Sequence, residues 1–195
     1  MSNSKKTLLA TVSALAVVAV FALPASASAA VWQHKGEALK TKIELAMTGA
    51  EVIETSSSAL LCENTSTMTT EGGSSAKITA YSVKTATCVG LSGKFEGCTV
   101  TAAAAKGLPW SVTVNTSDLT AKEVKVEYTL NKGCGIEKVE TSFSKLTLTP
   151  EEPKAIRLFH FNQAGTGKVN GKEASLTASG SLNLAEKDFD TYGIG

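Results

Sequence analysis

From residue 30 onward, apolar residues alternate with Thr, Ser, Lys and Glu instead of recurring at three and four, and a period of two means strands. The clearest run is Lys122 to Leu130. Val124, Val126, Tyr128 and Leu130 cannot share a face with Lys125 and Glu127, so one face turns to a core and the other to water. Similar runs are Lys77 to Lys84, where Ile78, Ala80 and Ser82 oppose Thr79, Tyr81 and Val83, then Cys98 to Ala102, Trp110 to Val114, Lys145 to Thr149, Ala155 to Phe161 and Ala174 to Leu184. Turn residues separate them at Gly72-Gly73, Gly90 to Gly97, Gly107-Leu108-Pro109, Asn131-Lys132-Gly133, Pro150 to Pro153 and Gly165 to Gly171. Many short strands at this spacing predict an all-β fold, a single antiparallel β-sandwich or partly closed β-barrel. Glu37 to Met47 reads two ways: Leu39, Ile43 and Met47 recur at four as in a helix, while Leu39, Thr41, Ile43 and Leu45 alternate as in a strand. Ala102 to Ala105 favours helix but is too short to form one alone.

The first 29 residues follow a different pattern. Lys5 and Lys6 precede an uncharged apolar stretch from Thr7 to Leu23, then Pro24 and the small residues Ala25 to Ala29, which is the layout of a signal peptide. Two A-x-A registers place cleavage before Ser28 or before Ala30. An uncleaved anchor fits less well, because the apolar stretch falls short of the roughly 20 residues a span needs and ends in a helix-breaking proline. No cysteine stands at the cleavage point to accept a lipid, and no later stretch is long and apolar, so no transmembrane segment is expected after processing. Residues 30–195, roughly 166 in all, suit a single β-rich domain that is secreted, extracellular or held in the cell envelope.

Processing removes two lysines and no acids, leaving 17 basic against 18 acidic residues. With the lysines spread singly and Arg157 the one arginine, the concentrated positive field that nucleic acid requires is missing. Cys62, Cys88, Cys98 and Cys134 all lie in the mature part, and an even count outside the cytoplasm predicts two disulfides. Their gaps of 26, 10 and 36 positions, with no neighbouring histidine, do not suit zinc, and no metal or other cofactor is expected. Of the three pairings, Cys88 with Cys98 is favoured because Gly90, Gly93 and Gly97 let the chain reverse between them, leaving Cys62 for Cys134.

After the signal peptide, the segments Leu60-Leu61-Cys62, Cys88, Gly97-Cys98-Thr99-Val100, Gly107-Leu108-Pro109-Trp110-Ser111-Val112 and Ser179-Gly180-Ser181-Leu182 are spread along most of the mature chain. This arrangement resembles a group of exported β-rich proteins of high-GC Gram-positive bacteria that has no established activity. The resemblance implies export and a β fold, and it implies no active site.

Motifs for chemistry are sparse. The nucleophile pattern G-x-S-x-G is absent, and Gly90-Leu91-Ser92-Gly93 falls one residue short of it in a glycine-rich loop. Ser74 to Lys77 and Ser142 to Lys145 match S-x-x-K, but in strands their Ser and Lys turn to opposite faces. Gly165-Thr166-Gly167-Lys168 lacks the flanking residues of a phosphate loop and reads as a hairpin turn. Glu123 with Glu127, or Glu151 with Glu152, are arbitrary picks from 18 acids as a glycosidase pair. His34 lies beside the expected new N-terminus. His160, in Leu158-Phe159-His160-Phe161, is the candidate general base of a hydrolase with a dispersed site; the competing reading is a half-buried histidine satisfied by a backbone partner. Trp110 is either a platform for a sugar or peptide or a core anchor, and Val112 and Val114 on its face favour the core. Asn64-Thr65-Ser66 and Asn115-Thr116-Ser117 match the N-glycosylation pattern and are expected near the surface. The expectation is a non-enzymatic secreted or envelope protein with an unknown extracellular or envelope ligand.

Overall fold

The computed structural model describes residues 30–131, 133–185, 187 and 191–195; the expected leader lies outside them. Three short strands, β1 (Trp32–His34), β2 (Glu37–Ala38) and β12 (Tyr192–Ile194), make a small sheet in the order β12-β1-β2. The rest is one sheet of β3 (Ile43–Glu54), β4 (Ala59–Thr70), β5 (Ser75–Ser92), β6 (Val100–Lys106), β7 (Trp110–Val114), β8 (Leu119–Leu130), β9 (Lys138–Pro150), β10 (Leu158–Val169) and β11 (Lys172–Leu184). A 3-10 turn at Gly93–Phe95 lies between β5 and β6.

The sheet closes on itself. β6 and β7 pair with successive halves of β8, so they occupy one strand position, broken at Gly107-Leu108-Pro109 where Leu108–Pro109 is cis. Glu123 faces the break with φ of 55°. Counted this way, eight antiparallel strand positions follow one another around the wall, and β11 returns to pair with β3 from Thr177↔Glu54 to Leu184↔Met47. The predicted all-β fold is thus a closed eight-stranded barrel.

Alternation decides what faces inward. On β4, Leu60, Cys62, Asn64, Ser66, Met68 and Thr70 are buried at every second position. On β8, Val124, Val126, Tyr128 and Leu130 point in, while Lys122 and Lys125 are exposed. Lys77, Lys84, Lys145 and Lys168 also stand on the outside, the reverse of a membrane barrel with its apolar outer band. No helix among the described residues is long and apolar enough to cross a membrane.

Several expectations change. Glu37 to Met47 contains no helix: β2 and the start of β3 occupy it, and Leu45 and Met47 are buried by alternation. Ala102 to Ala105 lies within β6. Gly165 to Lys168 is strand, and the hairpin turns at Asn170-Gly171, whose φ values of 50° and 77° suit a two-residue turn between Val169 and Lys172. The four cysteines do form two disulfides, but as Cys62–Cys88 and Cys98–Cys134, not as Cys88–Cys98. Cys62 faces the bulged stretch of β5, with Cα atoms 4.2 Å apart, whereas Cys98 reaches across to the β8–β9 connection. Glycines between Cys88 and Cys98 do reverse the chain, but they leave Cys88 on a strand and Cys98 beyond the loop.

Candidate functional site

The barrel interior is mostly apolar, and its one buried acid among the described residues sits in a polar cluster. On β3 the inward series runs Leu45, Met47, Gly49, Glu51, Ile53, so alternation itself carries a carboxylate into the core, where Glu51 is only 6% exposed. Its neighbours come from three other strands. The Tyr81 hydroxyl on β5 donates to Glu51 Oε1 at 2.6 Å, and the Tyr128 hydroxyl on β8 donates to the same oxygen at 2.7 Å. β3 and β8 stand four positions apart in a wall of eight, so the Glu51–Tyr128 bond crosses the lumen.

Tyr81 arrives there through a bulge. Thr67 pairs with Ala80 and Met68 with Ile78, so Thr79 is an extra residue in β5. It shifts the inward face from Ile78 to Tyr81 and Val83, where unbroken alternation would have set Tyr81 against Ile78.

Asn64 and Ser66, from β4, complete the cluster. They are 1% and 5% exposed, yet Asn64 Nδ2, Asn64 Oδ1 and Ser66 Oγ have no hydrogen-bond partner. Asn64 lies close enough to Glu51 to favour its charged form, without a hydrogen bond of good distance and angle. All these groups except Tyr128 line a cavity of about 30 Å³, counted as the space open to the centre of a water-sized sphere. Each water needs about 10–15 Å³ on that measure, so the cavity has room for about two. Apart from Thr141, its remaining wall is apolar and aromatic, with Trp110, Phe143 and Phe161 among it, and every strand position of the barrel contributes.

Burial is the dominant influence on Glu51 and raises its carboxyl above the ordinary range, opposed by the hydrogen bonds from Tyr81 and Tyr128 and the nearness of Asn64. Burial, then the nearby carboxylate, pushes both tyrosines well above the usual phenol range, so they remain donors at any ordinary pH. Thr141, across the cavity, is satisfied by the Val126 backbone, donating at 3.1 Å and accepting at 3.2 Å.

The residues singled out from the sequence fall elsewhere or in new roles. Trp110 is buried, donates from Nε1 to the Lys106 carbonyl at 2.8 Å, and packs 5.4 Å from the Tyr81 ring, so it walls the cavity from the core side. His160 is exposed on the outer wall, between Thr149 on β9 and Ser181 on β11. The reading of it as half-buried is corrected: Phe159 and Phe161 point inward and His160 outward. Asn64-Thr65-Ser66, expected near the surface, has its Asn and Ser in the interior. Glu127 pairs with Lys138 at 3.0 Å on the outer face, and those lysine contacts hold its carboxyl below the ordinary range. Among the described residues no three His, Cys, Asp or Glu side chains gather as a metal set.

Sequence reasoning named Tyr128 as inward but missed Glu51, Asn64 and Ser66. The signal was present: an acid on the face of Leu45, Met47 and Ile53, and two polar residues between Cys62 and Met68. Compared with known proteins, the chain matches no family model, no curated protein and no solved structure.

Proposed function

We propose that the protein works outside the cytoplasm as a non-enzymatic binding module whose seat is the polar cavity inside the barrel. The observation that carries this reading is the pair of buried, unpartnered side chains, Asn64 and Ser66, beside a buried carboxylate. A stranded buried polar group costs about 1–3 kcal/mol, and here three such atoms, from Asn64 and Ser66, gather on one cavity wall beside the acid. A bound group that supplies the missing hydrogen bonds offsets that cost, and a mostly apolar pocket with a few convergent polar groups is the usual form of a small-ligand site. Placement outside the cytoplasm draws on the leader-like N-terminus, the two disulfides, the charged outer wall and the resemblance to exported proteins.

The test is a thermal-shift screen of small polar molecules on the processed protein, with mass measurement under non-denaturing conditions to find co-purifying adducts. At least one compound or adduct is expected to raise the Tm of the wild type and leave Asn64→Leu unmoved. A wild type that carries nothing and responds to nothing, beside an Asn64→Leu variant that simply melts higher, assigns the cluster to the fold and ends this reading.

A further inference from the structure

We infer that the cavity takes a small monovalent cation, either an alkali-metal ion or the ammonium end of an organic amine, seated between the Glu51 carboxylate, Asn64 Oδ1 and Ser66 Oγ. This rests on the interior being the binding seat. Charge points first to a cation. The buried described residues include no Lys, Arg or His, and Glu51 has neutral hydroxyls as its hydrogen-bond partners. A buried carboxylate with no opposite charge is costly, and an anionic ligand would add repulsion.

Donor chemistry narrows the choice. Tyr81 and Tyr128 both give their protons to Oε1, while Asn64 Oδ1 and Ser66 Oγ are oxygens without partners on the cavity wall. Oxygen ligands suit hard cations, and a single carboxylate matches one positive charge; calcium sites gather more carboxylates, and magnesium keeps several waters. Size agrees, since about 30 Å³ holds an unhydrated ion or a single ammonium head. The aromatic wall of Trp110, Phe143 and Phe161 would accept the body of an amine only after side-chain movement, so the ion and the amine are separable by experiment.

Thermal unfolding of the processed protein is measured at constant ionic strength in sodium, potassium, ammonium, methylammonium or choline chloride, with calorimetric titration of whichever cation acts. A small cation at about ten times its Kd is expected to raise Tm by about 3–6 °C over choline. Response to sodium or potassium identifies an ion site; response to methylammonium alone identifies an amine seat. Glu51→Gln, folded by near-ultraviolet circular dichroism, should lose the response. If that variant does not fold, Ser66→Ala serves, because it removes one ligand oxygen and should weaken binding several-fold. Equal Tm in all five salts, or an equal response in wild type and Glu51→Gln, overturns the cation. The binding seat survives that result if a neutral compound gives a shift that Asn64→Leu abolishes, and falls with it otherwise.

Discussion

At one end of the barrel two disulfides tie the wall together, while at the other the first and last described strands, β1 and β12, pair over the mouth. The first end carries the β3–β4, β5–β6, β8–β9 and β10–β11 connections. Cys98–Cys134 joins the second of these to the third, Asn131 Oδ1 accepts from the Thr99 N–H at 3.1 Å, and Asn170 Oδ1 accepts from the N–H groups of Glu137 and Lys138. The second end is covered by the β12-β1-β2 sheet. Its backbone bonds reach the β4–β5 turn through Trp32 N–H to the Gly73 carbonyl, and the β9–β10 loop through Ile194 N–H to the Pro153 carbonyl. Trp32, Ile156 and Ile194 are buried there. Both ends carry seven-residue connections, 93–99 and 131–137 at the first and 151–157 at the second; a disulfide ties the first two together, whereas the third is held by the terminal sheet and the buried Trp32 ring. The polar cluster belongs to the cross-linked side, since Glu51 stands opposite Cys62 in the ladder.

Loss of the cross-links should have the largest effect. The two bonds close loops of 26 and 36 residues, each contributing about 3–4 kcal/mol in the chain-entropy picture. Removing both approaches the ~5–15 kcal/mol by which domains are stable. Replacing all four cysteines by serine is expected to leave the chain unfolded or barely folded at 37 °C, while either paired replacement alone lowers the urea midpoint. If the fourfold variant melted within a few degrees of wild type, the contrast between the ends would collapse.

Trp32 is the matching test at the other end. Trp32→Ala should cost about 3–5 kcal/mol, as for a large buried ring, and should loosen both terminal strands in hydrogen exchange. Trp32→Phe should cost clearly less, because it keeps most of the ring and deletes an indole N–H that is buried without a partner. A loss near zero for Trp32→Ala would mean that the terminal sheet is an ornament on a barrel already complete.

The strands, the count of disulfides and the inward set of β8 were legible in the sequence because each depends on local alternation or on composition. Disulfide pairing was not, because it depends on which loops the barrel brings together across 36 residues. Tyr81 was misplaced because one extra residue, Thr79, inverts the face, and alternation cannot reveal where a bulge sits. His160 failed for a related reason: with apolar neighbours on both sides, the pattern alone does not say which side of the wall is outside. Glu51 was a readable anomaly. Extending the alternation of Leu45 and Met47 through Gly49 to the next inward position would have found it.

Glu51 supplies the smallest expected effect and the one that ties chemistry to an end of the barrel. Its carboxyl is raised in the folded state because burial disfavours the charge. Below the ordinary carboxylate range the group is neutral both folded and unfolded and costs nothing. As pH climbs through that range, the unfolded chain releases its proton while the folded chain keeps it, so the folded state binds more protons and stability falls with rising pH until the raised value is passed. Tyr81 and Tyr128, the titratable groups that touch it, stay protonated throughout. Glu127 works the other way, its lowered carboxyl favouring the fold as pH rises, but it is paired on the surface and common to both proteins, so a difference measurement cancels it. Glu51→Gln keeps an oxygen for both hydroxyls and removes the charge. Measured in choline buffer, where no small cation can compensate, its stability relative to wild type should grow from pH 4 to pH 8 by an amount on the order of 1 kcal/mol, typical of a single change. A difference that stays flat across that window would mean the carboxylate is already compensated inside the barrel. A difference of opposite slope would mean that the two tyrosine bonds outweigh burial, and that the ionised acid holds the cross-linked end together.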